Sequence, residues 1–291
     1  MRDFVQQVVI GLASGGIYAS LALAVVLVYR VTRVVNFAQG EMAMFTTFVA
    51  WELLDRGWPY WGAFFATLAV AFVGGAAVER VVMRPVERGP AVVPVMVTVG
   101  LLIALNGAAL WIWGGGARDF RPVSGRTFDV GGVVLSLQDV GVIGVTVGAA
   151  AALFVFFQST KLGLALRAAA VNPDASSLVG IRVGWILALG WGLAGVLGAI
   201  SGMLVAPSLF LDPNMMRPVL LYAFAAAVLG GMDSPLGAVV GGLSLGVGLN
   251  LIATYVDALA PLQLPVALAV ILVVLLFRPA GLLGRPAESR V

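Results

Sequence analysis

Val8–Tyr29 reads VVIGLASGGIYASLALAVVLVY, an uncharged run long enough to cross a bilayer core as a helix, which takes about 20 apolar residues. Further charge-free segments follow at Tyr60–Val78, Val92–Trp113, Val140–Phe157, Gly184–Ala206 and Leu236–Val256. Three shorter ones are Val34–Trp51 (interrupted by Glu41), Val219–Met232 and Leu262–Phe277. The expected fold is therefore all-α: a polytopic transmembrane helix bundle of eight or nine segments, some short or interrupted. Composition agrees. The 291 residues are 61% hydrophobic and 11% charged, with a mean hydropathy of +1.05. Soluble domains are about half apolar and about a quarter charged, because they must cover their surface with polar groups. No polar stretch is long enough to build a soluble domain, so 1–291 reads as a single transmembrane domain.

The net charge of +3 and pI near 9.7 would suit a nucleic-acid ligand, but the placement of the charges argues for orientation in a membrane. With the amino terminus outside, the inner loops hold Arg30, Arg33, Arg80, Arg84, Arg88, Lys161, Arg167, Arg182, Arg278, Arg285 and Arg290. The outer loops hold Arg2, Arg56, Arg118, Arg121, Arg126 and Arg217. Cytoplasmic loops are the Lys/Arg-rich ones, which puts the carboxyl terminus in the cytoplasm. Trp51, Trp58, Tyr60, Trp61, Trp111 and Trp113 all fall on the expected outer side, where aromatics suit the lipid–water interface. The first segment reads as a retained helix: it is too long for a signal peptide, Arg2-Asp3 is charge-neutral, and no small-residue cleavage site follows.

Cysteine and histidine are both absent. That removes disulfides, a thiol nucleophile, the commonest metal ligand and the usual proton shuttle. No metal site is expected. Asp119, Asp129 and Asp139 are spread through an outer loop at about 114–139 without the tight spacing of an acid–base pair, so an enzyme is not expected. A secondary transporter would need a coupling-ion site, and acidic groups within the spans are few beyond Glu41.

Glycine is frequent, 37 residues. Gly11/Gly15, Gly198/Gly202, Gly237/Gly241 and Gly242/Gly246 each lie on one helix face, where small residues let backbones approach closely. Lining a narrow pathway is the alternative reading. Two interrupted places carry more information. Asn36-Phe37-Ala38-Gln39-Gly40-Glu41 gathers polar side chains at the mouth of an apolar segment, and Gly230-Gly231-Met232-Asp233-Ser234-Pro235-Leu236-Gly237 does something similar in the second half. Backbone released from helix at membrane depth persists only when buried in protein or beside water, and such breaks in corresponding halves point to a transport pathway. Ordinary cytoplasmic turns would look the same. The candidates for a pathway are Asn36, Gln39, Gly40, Glu41, Gly230, Gly231, Ser234 and Gly237. Arg33 or Arg30 is the expected partner of Glu41. Asn106 and Asn250 lie within spans and suit hydrogen bonds between helices, or a pore.

The inner loop at about 158–183 contains KLGLALRAAAVNPDASSLVGIR (Lys161–Arg182). Leu162–Val171 is helix-compatible. Asn172 then suits an N-cap, Pro173 the first helical position, and Asp174 the positive end of the dipole. Gly180 closes the helix about two turns later. A short capped helix here is shaped to dock on another protein, or to lie as a turn on the membrane face.

Taken together, GLASGGIYASLALAVVLVYRVTRVVNFAQGE (Gly11–Glu41), ERVVMRPV (Glu79–Val86), the loop ending in NPDASSLVGIR, AAAVLGGMDSPLGAVVGGLSLGV (Ala225–Val247) and FRPAGLLG (Phe277–Gly284) resemble the permease subunits of branched-chain amino-acid ABC importers. The likeness is to the shorter, H-type partner of the permease pair. The chain departs from the family pattern where it has Gln39 in place of His, at Tyr222 where Lys is common nearby, and at Asp233-Ser234 where Gly-Ser is common.

The resemblance implies a second permease subunit, two cytoplasmic ATPases, a periplasmic substrate-binding protein and a multi-pass place in the bacterial inner membrane. It implies that Leu162, Arg167, Asn172, Pro173, Asp174, Ser177 and Gly180 belong to an ATPase-coupling element. It further implies that both interrupted segments lie near a pathway for amino acids, branched-chain ones by the family, with urea, amides or other amino acids as alternatives. ATP and Mg would be bound by the partners: Lys161, preceded by Ser159-Thr160, lies in no GxxxxGK[ST] loop.

Overall fold

A computed structural model describes residues 2–87, 89–90, 92–122, 124–130 and 133–284. Arg88, Arg285 and Arg290, three of the cations expected on the cytoplasmic side, lie outside the described residues. The apolar runs become helices because a helix satisfies its own backbone groups where no water can. They are α1 (Arg2–Thr32), α2 (Gln39–Asp55), α3 (Tyr60–Val78), α4 (Val92–Trp113), α5 (Leu137–Ser159), α6 (Lys161–Val171), α7 (Pro173–Leu178), α8 (Val183–Leu209), α9 (Met216–Gly230), α10 (Pro235–Tyr255) and α11 (Gln263–Phe277). A π-helical turn, Glu79–Met83, continues α3, and a 3-10 turn, Asp257–Leu262, leads into α11. Among the described residues seven stretches are long and apolar enough to cross a membrane. Of the three shorter segments expected, two are present as α2 and α9, outside that set, while Leu262–Phe277 falls within the spanning stretch Asp257–Phe277.

Two features differ from the sequence expectation. The segment expected to start at Val34 is not helical until Gln39; Val34–Ala38 is irregular. The outer loop carries a short antiparallel pair, β1 (Thr127–Val130) and β2 (Val133–Ser136), with Phe128 opposite Leu135 and Asp129 opposite Val134. A small amount of strand thus joins an otherwise helical chain. Flanking a Gly131-Gly132 dipeptide, these β-branched runs are a recognisable hairpin signal.

The chain forms two compact units, each assembled from separated stretches. The first comprises Met1–Val26, Arg121–Ala150 and Pro218–Val291. Within it α1 and α10 touch backbone to backbone. A Cβ on Gly11 would lie 2.7 Å from Val247 Cα, and one on Gly242 2.5 Å from Ala19 Cα. Nearby, Thr146 of α5 donates to Gly16 O of α1 at 3.1 Å. Asn250 of α10 donates to Gln7 O (2.6 Å) and Gln7 Oε1 (2.9 Å), so it serves a contact between helices.

The second unit comprises Leu27–Phe120 and Ala151–Arg217. Its centre is α8, whose Trp191, Ala194, Ala199 and Ser201 are fully buried. Helix α3 lies against it through Ala71 and Gly75, facing Trp191, Gly192 and Gly195. Helix α2 lies against it through Ala43 and Thr47, facing Gly198 and Gly202. Packing of this kind suits lipid, where apolar surface gains little from leaving one hydrocarbon for another and close backbone approach supplies the attraction. The π turn holds the end of α3 on the start of α8: Arg80 covers Trp185 at 4.8 Å and Arg84 lies against Gly184. Two of the expected interfacial tryptophans are used inside the unit. Trp113 stacks on Phe48 at 4.9 Å, and Trp51 lies under Arg118 at 4.2 Å. Trp111 stays exposed.

Gly242→Ala is expected to destabilise the purified protein by about 1–3 kcal/mol through overpacking against α1. Gly248→Ala, on the same helix with nothing within 4 Å, is expected to be neutral or mildly stabilising. Thermal unfolding in detergent distinguishes the two.

Candidate functional site

Three places suggested by the sequence can be built from their residues. The first is the break between α1 and α2, inside the second unit. Helix α1 ends where Thr32 bonds back to Val28 O (2.8 Å) and Arg33 takes a left-handed φ of 57°. The chain then runs irregularly and starts α2 in the interior. Gln39 Nε2 donates to Ala194 O at 3.0 Å, and Ala194 sits near the middle of α8. Asn36 Nδ2 donates to Gln39 Oε1 (3.0 Å), while Asn36 Oδ1 accepts from Ala38 N (3.0 Å). Thr98 of α4 accepts from Phe37 N at 3.4 Å and donates to Val95 O at 2.8 Å. Asn36, Gln39 and Gly40 are buried. A cytoplasmic surface turn is therefore not what the geometry describes.

Asn36 and Gln39 spend their polar atoms on each other and on backbone. Glu41 does not. It is 1% exposed, and neither carboxylate oxygen has a hydrogen-bond partner among the described residues. Its cation is Arg217, with Nε 3.8 Å from Oε1, which corrects the expectation of Arg33 or Arg30. Those two turn elsewhere: Arg30 lies over Phe157 (5.5 Å) and Arg33 over Tyr29 (5.9 Å). The irregular stretch after α1 carries Glu41 away from both of them. Arg217 was read only as an outer-loop cation, and nothing in its local sequence marks it as the partner of a residue so far along the chain. The same interior holds Asn106, which donates to Pro213 O at 2.7 Å.

The second place is the turn joining α9 to α10, inside the first unit. Ser234 caps α10, accepting from Gly237 N at 3.0 Å. Gly231 has φ 111°, a conformation that glycine adopts without strain. The closing FRPAGLLG segment clamps this turn: Leu282 N donates to Leu229 O (2.8 Å) and Leu283 N to Gly230 O (3.0 Å). Gly230 and Gly237 face each other closely enough that neither has room for a side chain.

The third place is the loop of α6 and α7. Thr160, a cap not singled out in the sequence, accepts from Gly163 N at 2.9 Å. Asn172 caps α7, accepting from Ala175 N at 2.9 Å, with Pro173 in the first turn and Asp174 exposed beside it. Ser177 Oγ donates to Asp174 O at 2.7 Å, and Gly180 leaves the helix with φ 87°. One side of α6 is anchored, with Gly163 against Phe156 and Phe157 and Leu166 near Gly190. Arg167 has its Nε buried without a hydrogen-bond partner among the described residues. The other side is open: Leu162 and Leu164 are exposed, and Val171, Leu178 and Val179 are 85%, 88% and 77% exposed. No group of three or more acidic side chains that could hold a metal occurs among the described residues.

A family model described as "Branched-chain amino acid transport system / permease component" matches residues 7–277. The chain belongs to this family. The permease is 32% identical, over 99% of its length and 98% of the relative's, to the high-affinity branched-chain amino acid transport system permease protein BraD of Pseudomonas aeruginosa. It is 30% identical to the permease protein LivH of Escherichia coli, again over 99% and 98% of the two chains. The probable LivH of Methanocaldococcus jannaschii is 29% identical over 91% of the permease and 87% of the relative. The permease is thus a multi-pass inner-membrane transport subunit of the ABC-importer type, a family that works with ATPase and substrate-binding components.

Gln39→Ala removes the buried bonds that Gln39 makes to Ala194 O and to the Asn36 amide. It is expected to cost the permease about 1–3 kcal/mol, read as unfolding at lower temperature. Asn172→Ala is expected to weaken α7 by about 1 kcal/mol and Asn172→Asp to preserve it, read as faster amide exchange over 175–178 in the alanine variant alone.

Proposed function

We propose that this permease forms the translocation pathway of a binding-protein-dependent importer for amino acids, with branched-chain amino acids as the class its relatives' names point to. It acts as one permease domain of eight or nine membrane segments, with α2 and α9 as the short ones. Its amino terminus faces outward and its carboxyl terminus the cytoplasm, as the bias of Lys and Arg supports. A second, companion permease subunit, two ATPases and a periplasmic binding protein complete the machine. ATP and Mg are bound by the ATPases and not by this chain.

The observation that carries the reading is the open side of α6 and α7. A loop bounded by Lys161 and Arg182, with Asn172 and Asp174 within it, is too polar to lie in hydrocarbon. Yet it presents Val171, Leu178 and Val179 almost fully exposed, and an apolar patch rimmed by polar groups marks a docking surface. Leu162, Arg167, Asn172, Pro173, Asp174, Ser177 and Gly180 build and hold this coupling element, and the ATPase covers it. In the same proposal Asn36, Gln39, Gly40 and Glu41 shape the pathway. Gly230, Gly231, Ser234 and Gly237 act on it indirectly, by fixing where α9 and α10 meet the closing turn.

Replacing Pro173–Val179 by a Gly/Ser linker is expected to abolish co-purification of the ATPases while membrane insertion is unchanged. Leu178→Asp is expected to weaken it at least about tenfold, the effect of losing one buried apolar anchor. Undiminished co-purification of both variants would remove the coupling assignment. Uptake of amino acids by the permease reconstituted alone would remove the importer reading.

A further inference from the structure

Glu41 is the buried ionisable group whose chemistry the packing leaves unfinished. Its neighbours Asn36 and Gln39 are satisfied by each other, by Ala38 N and by Ala194 O. The Glu41 carboxylate accepts no hydrogen bond from another residue among those described. A buried carboxylate that accepts nothing forfeits much of its solvation. Arg217 stands at 3.8 Å, in contact by charge but short of a hydrogen bond. The two groups differ in access, since the Glu41 side chain is 2% exposed and that of Arg217 56%. Arg217 is the second residue of α9, and its side chain reaches from an exposed position to the buried carboxylate.

We propose that Glu41 and Arg217 form a transient site for the two charged ends of a zwitterionic α-amino acid, the ammonium on the Glu41 carboxylate and the carboxylate on the Arg217 guanidinium. The inference rests on the transport reading above and deepens it by naming the residues that hold the two charges of the substrate. The opposite charges of an α-amino acid are separated by a single carbon, so its complement is an anion and a cation nearly in contact. An ammonium offers three donors to a carboxylate that has none, and guanidinium binds carboxylate in a fork of parallel hydrogen bonds. An uncharged amide or urea offers neither charge and would leave the pair closed on itself. The mutual attraction of Glu41 and Arg217 also explains how the site stays shut when empty: ligand exchanges one ion pair for two.

The test uses the complete importer in proteoliposomes, with radiolabelled leucine, isoleucine and valine as probes and Glu41→Gln, Arg217→Gln and the double variant as the changes. Uptake by both single variants is expected to fall at least about tenfold, the loss of one charge-assisted hydrogen bond to ligand. The double variant separates the alternatives. If the residues formed only a structural pair, neutralising both would remove the unpaired charge and restore uptake; a ligand site stays lost. Recovery of the double variant to near wild-type uptake overturns the site, as does undiminished uptake by either single variant. If the wild-type importer moves urea or a short amide and none of the three amino acids, the transport reading itself falls and the site with it.

Discussion

A bilayer core supplies no hydrogen-bond partner, and the rest of this structure depends on that constraint. Each backbone N–H and C=O that leaves a helix at membrane depth must find a partner within the protein. Where α1 ends, the chain leaves the helix, and the polar side chains gathered there do this work. Asn36 receives Ala38 N, Thr98 receives Phe37 N, and Gln39 reaches Ala194 O on α8. Helix α2 can begin in the interior because these bonds exist. Its start then carries Glu41 into the interior, 1% exposed.

The same solvent explains the glycines. Between helices in lipid the attraction comes from close fit and from hydrogen bonds, since apolar side chains are no better off against protein than against lipid tails. In the first unit α1 and α10 meet through Gly11, Gly15, Gly242 and Gly246. In the second, α8 receives α2 and α3 through Gly198, Gly202, Gly192 and Gly195. A Cβ at most of these positions meets backbone, which cannot swing aside as a flexible side chain would; at Gly198 it meets the buried Gln39 amide. The fold therefore concentrates its intolerance of substitution on residues without side chains.

The two surfaces proposed for function have opposite character. Helices α6 and α7 expose an apolar edge, supported on the other side by Gly163 and Leu166 and held by caps at Thr160 and Asn172. Rigid, capped and open on one side, they suit the transfer of a motion generated elsewhere. The Glu41–Arg217 pair is the reverse: buried at one end, exposed at the other and loosely engaged. It suits a contact that must be made and broken in each cycle.

Much of this was legible along the chain because the signals are local. Length without charge marks a span, Asn172-Pro173-Asp174 marks a helix start, and glycines four apart mark a packed face; each follows from the period of a single helix and needs no knowledge of its neighbours. Apolar runs also named the short segments, although the true start of α2 at Gln39 was hidden, since Val34 and Val35 are as apolar as helix. The hairpin of β1 and β2 was visible in principle in its β-branched runs around two glycines but was outweighed by the helical character of the rest. The partner of Glu41 was beyond local reading. Arg30 and Arg33 are close in sequence and Arg217 is not, and proximity along the chain is a poor guide once an irregular stretch has redirected it. The choice between Asn36, Gln39 and Glu41 as ligand contacts was equally hidden: all three are polar residues at one break. Which of them is already satisfied depends on Ala194, a backbone carbonyl on another helix whose availability no residue type announces.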